Sequence, residues 1–112
     1  MLWWYASRVE VLEHMEDQMI QLDSGNVLLK PSHRRQLMTW LRRASKLGQR
    51  LGNFLLQISL KRIGRAYEVV CSVHDRAGSF QMRMKRHDWR DAARDLARMV
   101  CVRLQGQRTQ MT

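Results

Sequence analysis

The sequence predicts an α+β domain of two layers, in the order β-α-β-β-β-α, with a four-stranded sheet and two helices packed on one of its faces. Three observations predict it. Between Asn53 and Arg86, three stretches alternate apolar and polar residues with the period of half-buried strands. Flanking them, residues 33–51 and 89–104 place their apolar residues along one stripe at helical spacing. A chain of 112 residues is enough for one domain with one modest core, which a sheet covered on a single face would supply.

Each element has its own signal. "MIQLD" sets Ile20 and Leu22 on one side, a short strand ended by Ser24, Gly25 and Asn26. The apolar "VLL" leads to Pro31 and Ser32, and Ser32 is placed as the N-cap of a helix from His33 to Leu51. On that helix Leu37, Trp40, Leu41, Ala44, Leu47, Gly48 and Leu51 share a face, and Gly52 supplies the stop. "NFLLQISLKR" points Phe54, Leu56, Ile58 and Leu60 inward, and "AYEVVCSVHD" does the same with Tyr67, Val69, Cys71 and Val73. "IGR" and "DRAG" are the hairpin turns around the second of these strands. In "FQMRMKRHDWRDAARDL" the period changes from two to helical, with Phe80, Met82 and Met84 inward on a strand ending at Arg86. Asp88 is then the N-cap of a helix from Trp89 to Leu104, with Asp91 three residues on. The expected core joins Phe54, Leu56, Ile58, Val69, Cys71, Val73, Phe80 and Met82 of the sheet to Leu37, Leu41, Ala44, Ala93, Leu96 and Val100.

Three segments follow from this: an acidic N-terminal extension over 1–18, the α/β domain over 19–105 and a C-terminal tail over 106–112. The extension reads either as a short helix on Val9, Leu12 and Met15 or as a flexible tail in which Trp3, Trp4 and Tyr5 pack elsewhere. Charge marks the same boundary. The formal net charge is +10, but residues 1–18 hold one base against four acids, and residues 19–112 hold 19 bases against 6 acids. Such an excess, with a pI near 11.0, favours a polyanionic partner. The two cysteines, Cys71 and Cys101, have no CxxC spacing and read as reduced, buried thiols of a cytoplasmic protein. No apolar run approaches the ~20 residues of a membrane span, and "MLWWYA" is too short and too acidic in its flank for an export signal.

The distribution of bases is more telling than their number. Opposite the core stripe of the first helix stand Arg35, Arg42 and Lys46, with Arg43 and Arg50 on the flank, and no acid lies between Ser32 and Gly52. A solvated helix face usually mixes signs, because like charges at i,i+4 cost a few tenths of a kcal/mol. His33, Arg34 and Arg35 also crowd the positive end of the helix dipole. An external anion accounts for this arrangement where local stability does not. The second helix differs, since Asp91 and Asp95 can pair with Arg94 and Arg98 beside Arg90. Arg83, Lys85 and Arg86 at the strand-to-helix corner complete the set able to reach phosphates.

Catalysis and metal binding find little support. His74–Asp75 and His87–Asp88 are neighbours, but adjacent strand residues face opposite ways, and both aspartates have turn or cap duties. The four histidines (His14, His33, His74, His87) and two cysteines show no ligand spacing, so neither a metal nor another cofactor is expected.

The element order, the start at "MIQLDSGNVLLKPS", the paired "LLQISLKR" and "AYEVVCSVHDRAG" strands and the final "DWRDAARDLARMVCVRL" helix resemble the bacterial ribosome-hibernation factors, also called ribosome-associated inhibitors or sigma-factor modulation proteins. The resemblance covers residues 19–105 and is to the short form, without the C-terminal dimerisation domain of the long form. The family's lysine-rich tail is reduced to Arg103 and Arg108, and residues 1–18 have no counterpart. The resemblance implies a non-enzymatic regulator that binds ribosomal RNA of the small ribosomal subunit, in the mRNA and tRNA channel, and silences idle ribosomes. Carried over residue by residue, it implicates Arg35, Arg42, Arg43 and Lys46 on the first helix and Arg86, Arg90, Arg94 and Arg98 on the second. No membrane and no small-molecule substrate is implied. The double-stranded RNA-binding domain shares the α-β-β-β-α core and is the alternative. It would call for a lysine cluster opening the last helix and a Gly-Pro-x-His loop, where this chain has "HDWRDAARD" and "KRIGR".

Overall fold

The computed structural model describes residues 9–15, 18–49, 54–76 and 78–111. Strands β1 (Val9–Met15) and β2 (Gln18–Asp23) precede helix α1 (Pro31–Gln49). Strands β3 (Phe54–Ile63), β4 (Ala66–Asp75) and β5 (Gly78–Arg86) then lead to helix α2 (Trp89–Met111). The sheet has five strands in the order β1-β2-β3-β4-β5, which corrects the expected four. The additional strand comes from the acidic segment. Val9–Met15 is neither a helix nor a tail but an edge strand antiparallel to β2, with a register irregularity between Val11 and Glu13. Trp3, Trp4 and Tyr5 lie outside the described residues, as do Arg50, Leu51 and Gly52.

β2 pairs in parallel with β3, from Gln18↔Phe54 to Asp23↔Ser59. A parallel pair needs a crossover, and α1 makes it. The remaining pairs are antiparallel hairpins: β3 meets β4 with Ile63↔Ala66 flanking Gly64 and Arg65, and β4 meets β5 with Asp75↔Gly78 flanking the second turn. Gly64 (φ 60°) takes the left-handed conformation that a tight two-residue turn demands. At the second turn the Gly78 N–H donates to Asp75 Oδ1 at 3.1 Å.

One face of the sheet is dry. Ile20, Leu22, Phe54, Leu56, Ile58, Leu60, Val69, Cys71, Val73 and Phe80 are buried against Leu37, Leu41, Ala44, Ala93, Leu96, Val100 and Leu104 from the helices. The alternation of β3 and β4 is thus realised as expected, while Met82 and Met84 are only partly covered near the β5 edge. Gly48 is buried on α1 because a Cβ there would run into the ring of Phe54, so its absence lets helix and strand close. Asn26 joins the β2–α1 loop to the far end of β3, accepting from the Arg62 N–H at 2.8 Å and donating to the Arg62 carbonyl at 3.1 Å. Beside it Gly25 (φ 55°) passes so close to the Leu60 carbonyl that no side chain fits.

Both helix starts depend on local chemistry. Asp88 caps α2 as expected, its Oδ1 accepting from the Arg90 N–H at 2.8 Å. α1 starts earlier than expected, with Pro31 as its first residue, where a missing N–H costs nothing. The carbonyl of Lys30, not Ser32, receives the first helical bonds, from His33 and Arg34. α2 continues past Leu104 to Met111, so residues 106–111 extend the helix. His33 meets Trp89 and Arg90 at one end, and Trp40 and Arg43 lie beside Ala97 and Cys101 further along, so the two helices run parallel. Their positive dipole ends therefore sit together.

Candidate nucleic-acid interface

α1 presents Arg35, Arg42, Arg43 and Lys46 to solvent, all exposed. The cause is the amphipathic spacing: burying Leu37, Leu41 and Ala44 against the sheet turns these four outward. Among the described residues none of the four has a carboxylate within ion-pair distance. α2 presents Arg90, Arg94 and Arg98 at every fourth position on its own exposed side. Arg94 lies 3.3 Å from Asp91 Oδ1 and 3.5 Å from Asp95 Oδ1, and Arg98 lies 3.8 Å from Asp95. The i,i+3 pairs Asp91–Arg94 and Asp95–Arg98 support the helix.

The ten predicted basic residues do not form one patch. On β5 the buried Phe80 and the partly buried Met82 and Met84 face the helices, so Arg83 and Lys85 point to the opposite, wet face of the sheet. Arg83 approaches Glu68 of the neighbouring strand at 4.0 Å. Arg86, two residues beyond Met84, returns to the helix side by strand alternation, and its guanidinium donates to the Lys85 carbonyl at 2.9 Å. The helix side therefore gathers Arg35, Arg42, Arg43, Lys46, Arg86, Arg90, Arg94 and Arg98, and it excludes Arg83 and Lys85. Strand alternation alone could have separated them.

Two features went unseen in the sequence. The first is an ion pair in which Arg34 Nε donates to both oxygens of Glu10, at 2.9 and 3.0 Å, tying α1 to β1. Arg34 also donates to the Leu29 carbonyl at 2.8 Å, so this base is committed inside the protein. The second is the junction of the two helix starts. His33 packs edge-on against Trp89, with ring centroids 5.3 Å apart. The Lys30 N–H points at His33 Nδ1 (3.3 Å), and an Arg90 guanidinium nitrogen lies 2.7 Å from Nε2. Each contact needs a ring nitrogen without a proton, so the neutral imidazole can accept one of the two, by its tautomer, and a charged imidazolium accepts neither. Desolvation, then the charges of Arg90 and Lys30, hold the His33 pKa below its usual value.

An open groove of about 360 Å³ runs between the helices, with Trp40, Ala97, Cys101 and Val102 as its apolar part and Arg43, Arg94 and Arg98 around it. Trp40, expected within the core stripe, is only half-buried here. The thiols are unreactive in character. Burial pushes Cys71 up to about 12, with Cys101 adding to the effect. Cys101 is also raised by burial, against the opposing influence of Arg43. Among the described residues no three His, Cys, Asp or Glu side chains gather as a metal site, and no helix is long and apolar enough to cross a membrane.

No protein-family model matches the sequence, and no curated protein matches it significantly. Among solved structures, the chain is similar to the crystal structure of the Protein Y N-terminal domain from Thermus thermophilus. The likeness has a TM-score of 0.61 and 13% sequence identity, and it covers 82% of this chain and 96% of that one. At that identity the likeness establishes a shared fold.

Proposed function

We propose that this protein is a non-enzymatic, cytoplasmic regulator of translation that binds ribosomal RNA of the small subunit near the mRNA and tRNA channel and keeps idle ribosomes inactive. The observation that carries the reading is the surface of the two parallel helices. α1 offers four exposed bases with no described acid partner, on a helix with no acid in its first turn, beside a second row of arginines. The α1 face, of one sign and without ion pairs to support its helix, matches a polyanion, and phosphates satisfy it without sequence readout. The choice of the ribosome rests on the resemblance of residues 19–105 to hibernation factors, to which the shared fold adds support. Arg35, Arg42, Arg43, Lys46, Arg86, Arg90, Arg94 and Arg98 form the proposed contact surface.

Co-sedimentation with purified small subunits over a salt series tests this. Binding is expected at low salt, with log affinity falling linearly against log salt as condensed counterions are released. Equal affinity for free duplex RNA, with no preference for the subunit, would move the assignment to a double-stranded RNA-binding module. RNA cleavage that disappears in His74→Ala or His87→Ala would move it to a nuclease.

A further inference from the structure

The groove between the helices has a composition that the basic surface alone does not explain. Trp40 lies on the same stripe as Leu37, Leu41 and Ala44, which are at most 1% exposed, yet it is only partly buried. The reason lies across the groove. Opposite Trp40, α2 lines the groove with the small Ala97 and Cys101, and with Val102 and Gln105 further along, so the groove between the helices stays open. A flat aromatic surface thus lies among three guanidinium groups. Two are braced from behind, Arg94 by Asp91 and Asp95 and Arg98 by Asp95, while Arg43 has no described acid partner.

An aromatic face among cations suits a ligand that is itself flat and anionic at its margin, and the volume lies within the roughly 300–1,000 Å³ of small-ligand sites. A nucleotide has both properties. The faces of a paired base are already stacked within its helix, whereas an unpaired base can turn out onto an aromatic side chain. We propose that this groove takes one unpaired base of an RNA strand, stacked on Trp40, with the flanking phosphates on Arg43 and Arg98. The inference rests on RNA as the partner proposed above and adds a single-stranded contact to it. An acidic protein segment would match the arginines but would leave the indole without a flat partner.

The test uses the full chain, Trp40→Phe and Trp40→Ala, each with its melting curve recorded, and compares a single-stranded oligouridylate with heparin, a polyanion without bases. Stacking predicts that the oligouridylate-to-heparin affinity ratio falls on the order of tenfold in Trp40→Ala and is largely kept in Trp40→Phe. In the unmodified chain, where folding is not in question, an oligonucleotide carrying 5-iodouridine should cross-link at Trp40. An unchanged ratio with cross-links elsewhere overturns the proposal, and so does poly-glutamate binding with the same dependence on Trp40. Small-subunit co-sedimentation of the same variants separates the two readings. Subunit binding with an unchanged ratio removes the groove alone. A fallen ratio without subunit binding removes the ribosome alone.

Discussion

Glu10 and Arg34 meet across 24 residues of sequence, and their pair shows how single side chains set the charge available to a partner. Both are about one-third exposed, so solvent screens the pair and its worth to folding stays within about 1 kcal/mol. Its cost to binding is more direct, because a guanidinium held by two carboxylate oxygens is withdrawn from the surface. Glu10→Gln should therefore leave the melting temperature almost unchanged while strengthening small-subunit binding and steepening its salt slope by up to about one unit. An unchanged slope with a large loss of stability would make the pair structural only. His33 adds a pH dependence whose sign follows from its lowered pKa. The unfolded chain takes up the proton more readily, so the contribution of His33 to stability is present above ~6.5 and is lost as pH falls towards the folded value. In His33→Gln the decline in stability between about pH 7 and 5 should be shallower, and an imidazole NMR titration should place His33 below the usual histidine value. Neither contact announced itself in the sequence. Glu10 precedes its partner by a whole strand and loop, and His33 acquires its neighbours only when two helix starts are brought together.

At the scale of elements, legibility followed period. β3 and β4 alternate without interruption, and their inward residues were readable one by one. β1 was not readable because its register shifts between Val11 and Glu13, which breaks the alternation and leaves Val9, Leu12 and Met15 at a spacing that mimics a helix. The start of α1 was misplaced for a related reason. Ser32 has the better capping side chain, but Pro31 fits the first helical position, and the chain begins the helix there. The helices themselves were legible, and so was their difference in charge, which the ion pairs of α2 bear out. That difference predicts unequal roles. Each base of α1 can pass to phosphate without leaving an acid behind, whereas Arg94 and Arg98 exchange one partner for another. The double variant Arg35→Ala/Arg42→Ala should weaken small-subunit binding and flatten its salt slope more than Arg94→Ala/Arg98→Ala, with each α1 base adding nearly a full unit. The reverse order would shift the main contact to the corner formed by Arg86 and Arg90.

For the whole molecule, the fold sets a basic helical layer on one side and an acidic strand at one edge. What the sequence could not show was that β1 and α1 share that edge, since this depends on β2 pairing with β1 on one flank and with β3 on the other. The acidic segment therefore has two effects that truncation will separate. Removing residues 1–17 raises the formal net charge from +10 to +13 and frees Arg34, both of which favour polyanion binding. The same truncation uncovers the β2 edge, with its unpaired backbone N–H and C=O groups, and removes Leu12 from the margin of the core. β2 itself should stay in place, because Ile20 and Leu22 are fully buried and it remains paired with β3. The truncated chain should accordingly fold with a melting temperature lower by several degrees and bind small subunits more tightly at low salt. Its self-association depends on which of two opposing forces prevails. At low ionic strength mutual repulsion keeps the exposed edges apart. At high salt, where screening acts within about 3–10 Å, the edges can pair. Light scattering after size exclusion should find a monomer at ~50 mM salt and larger species at ~500 mM. A chain that stays monomeric at both, with the melting temperature of the full protein, would mean that β1 contributes neither cover nor stability to the sheet.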